Sequence, residues 1–248
     1  NLAALCSIKG EKKEAKKLLN EALKYKPDFS DAHNNLAILQ KDEGDLNTAI
    51  NSFRKAIQYK PDYSEAHCNL GVSLIQKGNL NEAIESFQKA IKYKPSYPEA
   101  FYYLGNIYKT LGEVNKAINS YKLAIKYKPK YPEALNNLGV LYKSEGNVDM
   151  AISCFEKAIN LKKEYSEALN NLGNTYRELG DFEDAINYLV QAISSKPDFA
   201  EAINNLGTAY EEEEKFEKSI NYYEKAIKIK PDYPEAYFNL ANSLRSEG

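Results

Sequence analysis

Residues 132–165 read PEALNNLGVLYKSEGNVDMAISCFEKAINLKKEY, and this 34-residue pattern recurs along the chain. With Ser30 as position 1, the segments 30–63, 64–97, 98–131, 132–165, 166–199 and 200–233 align without a gap. Residues 1–29 form a truncated first repeat, and residues 234–248 form the first helix of a further one. A fixed period of this length marks a stacked repeat architecture, here one array over residues 1–248. The helix-breaking residues keep the same phase. All nine prolines occupy two positions: Pro27, Pro61, Pro95, Pro129, Pro197 and Pro231 at position 32, Pro98, Pro132 and Pro234 at position 1. The twelve glycines divide between position 8 (Gly71, Gly105, Gly139, Gly173, Gly207) and position 15 (Gly10, Gly44, Gly78, Gly112, Gly146, Gly180, Gly248).

Each phase has a physical task. Glycine at position 15 follows a helical run and supplies the left-handed residue that ends a helix. Proline at position 32 ends the second helix, and proline at position 1 suits a helix's first turn. Glycine at position 8 lies inside a helix, at a cost of about 1 kcal/mol relative to alanine, so a neighbouring helix must need the space. Ala3, Ala37 and Ala241 at that phase are also small. Between the breakers the apolar residues keep helical spacing, with leucine at position 7 (Leu36 through Leu240) and Tyr108, Tyr142, Tyr176 and Tyr210 four residues later. Each repeat is therefore read as two helices of about 14 residues joined by a short turn. A lone hairpin cannot bury its apolar face, so neighbours must stack.

Leu138, Gly139, Tyr142, Ala151, Phe155 and Ala158, with the late proline, carry a resemblance to the tetratricopeptide repeat (TPR) family over the whole chain. The resemblance implies an all-α fold, a right-handed superhelical solenoid of antiparallel helix pairs, acting as a protein-binding scaffold. Departures are His33, His67, Phe101, Leu135, Leu169, Ile203 and Tyr237 at position 4, often tryptophan in the family, and Lys163 in place of proline. Glu214 in place of glycine and Ser219 in place of alanine predict a looser turn in the 200–233 repeat, beside the acidic run Glu211–Glu214.

The formal net charge of −2 argues against a general nucleic-acid binder. No apolar run approaches the roughly 18 residues of a membrane helix, so no membrane partner is expected. The chain begins at Asn1, not Met, with no signal-peptide pattern. Cys6, Cys68 and Cys154 are odd in number and lack a CxxC pair, in keeping with a reducing, cytoplasmic setting. No catalytic constellation is present: the glycines are absorbed by the repeat, and His33 and His67 share a packing phase. Neither an enzyme nor a metal or cofactor site is expected.

The family presents its first helices along a concave groove, which directs attention to positions 2, 5, 6, 9, 12 and 13. Position 6 is Asn1, Asn35, Asn69, Asn137, Asn171, Asn205 and Asn239, broken by Tyr103; position 5 adds Asn34, Asn136, Asn170 and Asn204, and position 9 Asn106 and Asn174. Asparagine is a poor helix former, so its repeated use there needs a reason. One reason is a ladder whose amides pair with the backbone of an extended peptide. In this the groove is similar to the TPR domain of O-GlcNAc transferase. The other is hydrogen bonding between neighbouring helices of the stack. Tyr102 and Tyr103 put an aromatic pair at the groove phases, either an anchor for a ligand side chain or local packing.

Position 12 is basic in Lys41, Lys109, Lys143, Arg177 and Arg245, with Ile75 and Glu211 as exceptions. The dicarboxylate clamp of chaperone-binding TPR proteins is not matched at positions 5 and 9. Acidic position 2 and the lysine at every position 31 are read as complements to the helix dipole. The aromatic residue at every position 34 is read as packing at the junction between repeats. The expectation is a scaffold for a protein or peptide ligand. The alternatives are a substrate-recruiting segment of a larger enzyme such as a glycosyltransferase, since the sequence opens and closes in mid-repeat, and end-to-end self-association.

Overall fold

The computed structural model describes residues 11–247; the readings of Asn1, Ala3, Cys6, Gly10 and Gly248 fall outside them. Every described element is an α-helix. Helix α1 (Lys12–Tyr25) closes the truncated repeat. The full repeats contribute α2 (Ser30–Asp42) with α3 (Leu46–Tyr59), α4 (Ser64–Gln76) with α5 (Leu80–Tyr93), and α6 (Pro98–Thr110) with α7 (Val114–Tyr127). They continue as α8 (Pro132–Ser144) with α9 (Val148–Leu161), α10 (Ser166–Glu178) with α11 (Phe182–Ser195), and α12 (Ala200–Glu212) with α13 (Phe216–Ile229), before α14 (Pro234–Glu247). The contacts divide the chain into two compact units, residues 1–129 and 130–248. Within each, a helix packs on its hairpin partner and on the next repeat, the nearest-neighbour pattern of a helical solenoid.

The position-8 glycines lie where the two helices of a hairpin meet. A Cβ on Gly139 would stand 2.6 Å from Phe155 Cε1, on Gly71 2.7 Å from Phe87 Cζ, and on Gly105 2.6 Å from Tyr121 Cε1. The needed space thus belongs to the residue at position 24, whose ring is wholly buried in all three hairpins. Ala37 meets Phe53 at the equivalent place with both residues buried, so one methyl is accommodated there.

The 200–233 turn is not looser. Glu214 adopts φ 60°, the left-handed conformation that glycine takes in the other repeats. Its N–H donates to the Glu211 carbonyl (2.8 Å), and the Lys215 N–H donates to Tyr210 (2.8 Å). Gly112 and Glu113 make the same pair of bonds to Lys109 (3.1 Å) and Tyr108 (2.8 Å). The hydrogen bonds hold the turn against the steric cost of a non-glycine residue. Glu214→Gly is accordingly expected to stabilise the protein by about 1 kcal/mol, read as a higher urea midpoint. An unchanged midpoint would mean that Glu214 carries no strain. Ser219 is also accommodated: its Oγ lies 2.8 Å from the Phe216 carbonyl oxygen and 2.9 Å from Ser243 Oγ, deep in the α13–α14 contact.

The junction between repeats explains two columns. Lysine at position 31 caps the second helix and lays its ammonium over the ring at position 34. Lys60 Nζ is 4.5 Å from the Tyr63 ring centre, Lys94 4.4 Å from Tyr97, and Lys230 4.6 Å from Tyr233. A cation held on a ring face adds about 0.5–1 kcal/mol at an exposed site, comparable to a helix-dipole contribution.

The rings of His33, His67 and Phe101 at position 4 are packed. His33 stacks on Tyr59 (5.5 Å between ring centres), His67 on Tyr93 (5.7 Å) and Phe101 on Tyr127 (5.7 Å). Each histidine Nε2 pairs with a proline carbonyl, Pro27 at 2.8 Å and Pro61 at 2.9 Å, which makes it the donor. His67 Nδ1 is buried with no hydrogen-bond partner. Burial holds the His67 pKa below its ordinary 6.5. The unfolded chain therefore takes up a proton near pH 6.5 that the fold resists, and stability is lost as pH falls from there towards the lower folded value. His67→Phe, which copies the stack at Phe101, is expected to flatten the fall in urea midpoint below pH 6.5. An equally steep fall would assign it to other groups.

Candidate functional site

The first helices of successive repeats lie side by side within each unit, and the asparagines of positions 5 and 6 face each other across that contact. Position 6 of one repeat donates to position 5 of the repeat before it. Asn69 Nδ2 reaches Asn34 Oδ1 at 3.4 Å in the first unit. In the second, Asn171 reaches Asn136 at 2.9 Å, Asn205 reaches Asn170 at 2.9 Å, and Asn239 reaches Asn204 at 3.2 Å. The position-5 side chains are buried, whereas those of Asn35, Asn69, Asn137, Asn171, Asn205 and Asn239 are half-buried.

A carboxylate sets the direction of one such chain. Asn170 Nδ2 donates to Glu201 Oε1 (3.2 Å), and an ionised carboxylate can only accept. Asn170 Oδ1 must therefore receive the bond from Asn205. The columns hold neighbouring repeats together, and Asn69, Asn171, Asn205 and Asn239 each commit one N–H to that task. The side-chain carbonyls of Asn69, Asn171, Asn205 and Asn239 accept no hydrogen bond among the described residues.

The break in the column is a paired substitution. Cys68 stands at position 5 where Tyr103 replaces asparagine at position 6 of the next repeat. Losing both members together leaves no orphaned amide. Burial pushes the Cys68 thiol up to about 11, so it carries no thiolate near neutrality.

Tyr102 and Tyr103 are half-buried and packed, not free-standing. Tyr103 stacks on Phe87 with ring centres 5.5 Å apart, and Tyr102 meets Tyr103 edge-on at 5.5 Å. Asn106 Oδ1 receives the hydroxyl of buried Tyr121 at 2.7 Å. Asn174 Oδ1 accepts from Arg177 Nε (3.1 Å) and Nη2 (2.9 Å), while its Nδ2 donates to Glu178 (3.0 Å). Asn106 and Asn174 thus each orient a neighbour while keeping part of their surface open.

The basic column differs between the units. In the second, Lys143 pairs with Glu178 of the next repeat (3.0 Å), and Arg177 pairs likewise with Glu212. In the first, Lys41 and Lys109 have no side-chain hydrogen bond or ion pair among the described residues.

Between α4 and α6 of the first unit lies a cleft of about 310 Å³, with Val72, Ile75, Leu80, Tyr103 and Ile107 as its apolar lining. Gln76, Asn106 and Thr110 form its polar rim, and no charged residue lines it. Sequence reasoning singled out Tyr103, Asn106 and Ile75, but each in a different column. It missed Val72, Leu80 and Ile107, whose residue types are ordinary at their phases. No group of three or more His, Cys, Asp or Glu among the described residues could hold a metal ion. No described helix is long and apolar enough to cross a membrane.

Family models match from end to end. A TPR repeat model covers residues 40–76, 71–112 and 105–146, and tetratricopeptide repeat models cover 130–198, 170–234, 18–51, 222–248 and 1–29. The chain belongs to the tetratricopeptide repeat family. No curated protein matches this TPR sequence. Among solved structures, the TPR array superposes on a chain of the APC/C hetero-tetramer Cut9–Hcn1 with TM-score 0.77 at 21% identity, over 98% of its length and 48% of that chain. The array therefore spans about half the length of that relative. MamA gives TM-score 0.61 at 29% identity, covering 66% of this chain and 96% of its own. YrrB, a TPR protein with an unusual peptide-binding site, gives 0.64 at 23% identity, covering 76% and 97%.

Proposed function

We propose that this TPR array is a non-catalytic scaffold that holds an extended segment of a partner protein along the face of its first helices. The half-buried position-6 asparagines carry the reading. Each amide held by a position-5 neighbour is fixed in orientation, and its carbonyl is left to accept from a peptide N–H. Fixing the rotamer beforehand lowers the entropy lost on binding. Asn35, Asn69, Tyr102, Tyr103 and Asn106 serve the first unit, and Asn137, Asn171, Asn174, Asn205 and Asn239 the second. The peptide-binding site described for YrrB supports the reading at the level of fold. Cys68 and Cys154 are buried thiols outside any disulfide, which fits a reducing, cytoplasmic setting.

The test is selection of random displayed peptides on the immobilised protein, followed by affinity measurement with wild type and with Asn171→Ala/Asn205→Ala. Loss of about tenfold or more in affinity, with helicity retained, is the expected result. Selected peptides that bind the variant equally well would remove the ladder. Melting is followed on the same samples, because these amides also join repeats.

Association between copies is a second reading, favoured by α14. There Tyr237, Phe238 and Leu244 are 48%, 68% and 52% exposed, a cluster of large apolar side chains that a further helix would cover. A monomeric mass across a concentration series, unchanged by Phe238→Glu, would dismiss it.

A further inference from the structure

The cleft between α4 and α6 brings together two departures of the first unit from its own repeat. Ile75 interrupts the basic column at position 12, and Tyr103 interrupts the asparagine column at position 6. In a folded repeat array a column residue occupies the same backbone place in every unit, in contact with the neighbouring repeats. Two breaks in separate columns that face one opening therefore change the chemistry of one place only. The result is an uncharged opening of about 310 Å³, near the lower bound of ligand pockets and suited to one large side chain.

The charges beside it complete the description. In the position-12 column Ile75 is preceded by Lys41, half-buried, and followed by Lys109, exposed. Neither ammonium is engaged by a carboxylate among the described residues, unlike Lys143 and Arg177 of the second unit. Packed helices lie about 8–10 Å apart. An extended chain advances about 3.3 Å per residue, so neighbouring repeats stand about three residues of peptide apart.

Resting on the groove reading above, we infer that this cleft anchors a bulky aliphatic or aromatic residue of a bound peptide carrying acidic residues about three positions away on both sides. Ile75 and Tyr103 receive the apolar side chain, while Lys41 and Lys109 pair with the flanking carboxylates.

The probe is the labelled peptide GSDGSLGSDGS, with companions in which its leucine is alanine or both aspartates are lysine. Binding is measured by fluorescence anisotropy to wild type, Ile75→Lys, Lys41→Glu/Lys109→Glu, and Asn69→Ala. Lysine occupies the Ile75 position in neighbouring repeats, so that variant keeps the repeat pattern, and circular dichroism verifies its fold. The expected result is binding that weakens at least about tenfold on leucine removal and in Ile75→Lys. The charge-reversed protein is expected to exchange preference for the lysine peptide. Equal binding of the leucine and alanine peptides, or undiminished binding by Ile75→Lys, overturns the anchor. In that case weakened binding by Asn69→Ala leaves the groove reading standing. No binding of this peptide to wild type also overturns the anchor, and the groove reading then stands or falls on the selected peptides.

Discussion

Gly139→Val is expected to destabilise the 132–165 repeat by about 3 kcal/mol, the upper end of ordinary overpacking penalties. The first carbon of the new side chain would already lie 2.6 Å from Phe155 Cε1 and 2.9 Å from Cδ1. Phe155 is wholly buried, so its ring has no solvent to retreat into, and two further methyl groups worsen the overlap. Gly139→Ala is expected to be far milder. Alanine returns about 1 kcal/mol of helix propensity against the displaced ring, and Ala37 and Phe53 occupy the same two phases within one buried cluster. Urea denaturation of both variants, alone and with Phe155→Ala, gives the deciding measurement. A clash confined to this contact requires strong coupling between positions 139 and 155. Additive losses would place the strain elsewhere, and an unchanged midpoint for the valine variant would refute the packing account of position 8.

Asn170→Ala is expected to cost about 2 kcal/mol, more than its small size suggests. Asn170 is only 3% exposed, and it both receives Asn205 and donates to Glu201, so removing it breaks two bonds between repeats. Combined with Asn205→Ala the losses should be less than additive, because the second change removes a donor already left without its partner. Denaturation midpoints of the single and double variants check this. Full additivity would mean that the two amides act independently, and the column would lose its role as a link between repeats. The same measurement separates the two uses of asparagine: position 5 should report in stability, and position 6 in stability and peptide affinity together.

Several columns carried their meaning openly. Glycine at position 15 and proline at positions 1 and 32 are answers to backbone conformation, a local property, and the helix bounds follow them closely. The small residue at position 8 announced a close approach, although not the ring that makes it. Glu214 was misleading because side-chain sterics alone predict a poor turn, whereas the hydrogen bonds of the helix end impose the left-handed conformation on whatever residue stands there. The Lys–aromatic pairing at the junction was legible as two invariant columns but not as one contact, since the cation reaches the ring only once the helix end has turned.

The candidate site divides in the same way. That the first helices carry a polar face with asparagine at fixed places is written in the residue order, because helical spacing alone puts positions 6, 9 and 13 on one side. Sequence periodicity by itself determined the helices, their pairing and the phase of every repeat, since each depends on interactions within about one repeat length. Only the tertiary structure decided what the asparagines touch, that Cys68 and Tyr103 replace an amide pair, and that Ile75, Val72 and Tyr103 share one opening. Those facts join residues from different repeats. Their chemistry comes from stacking geometry, which brings side chains 35 positions apart, as Asn205 and Asn170 are, within hydrogen-bonding distance.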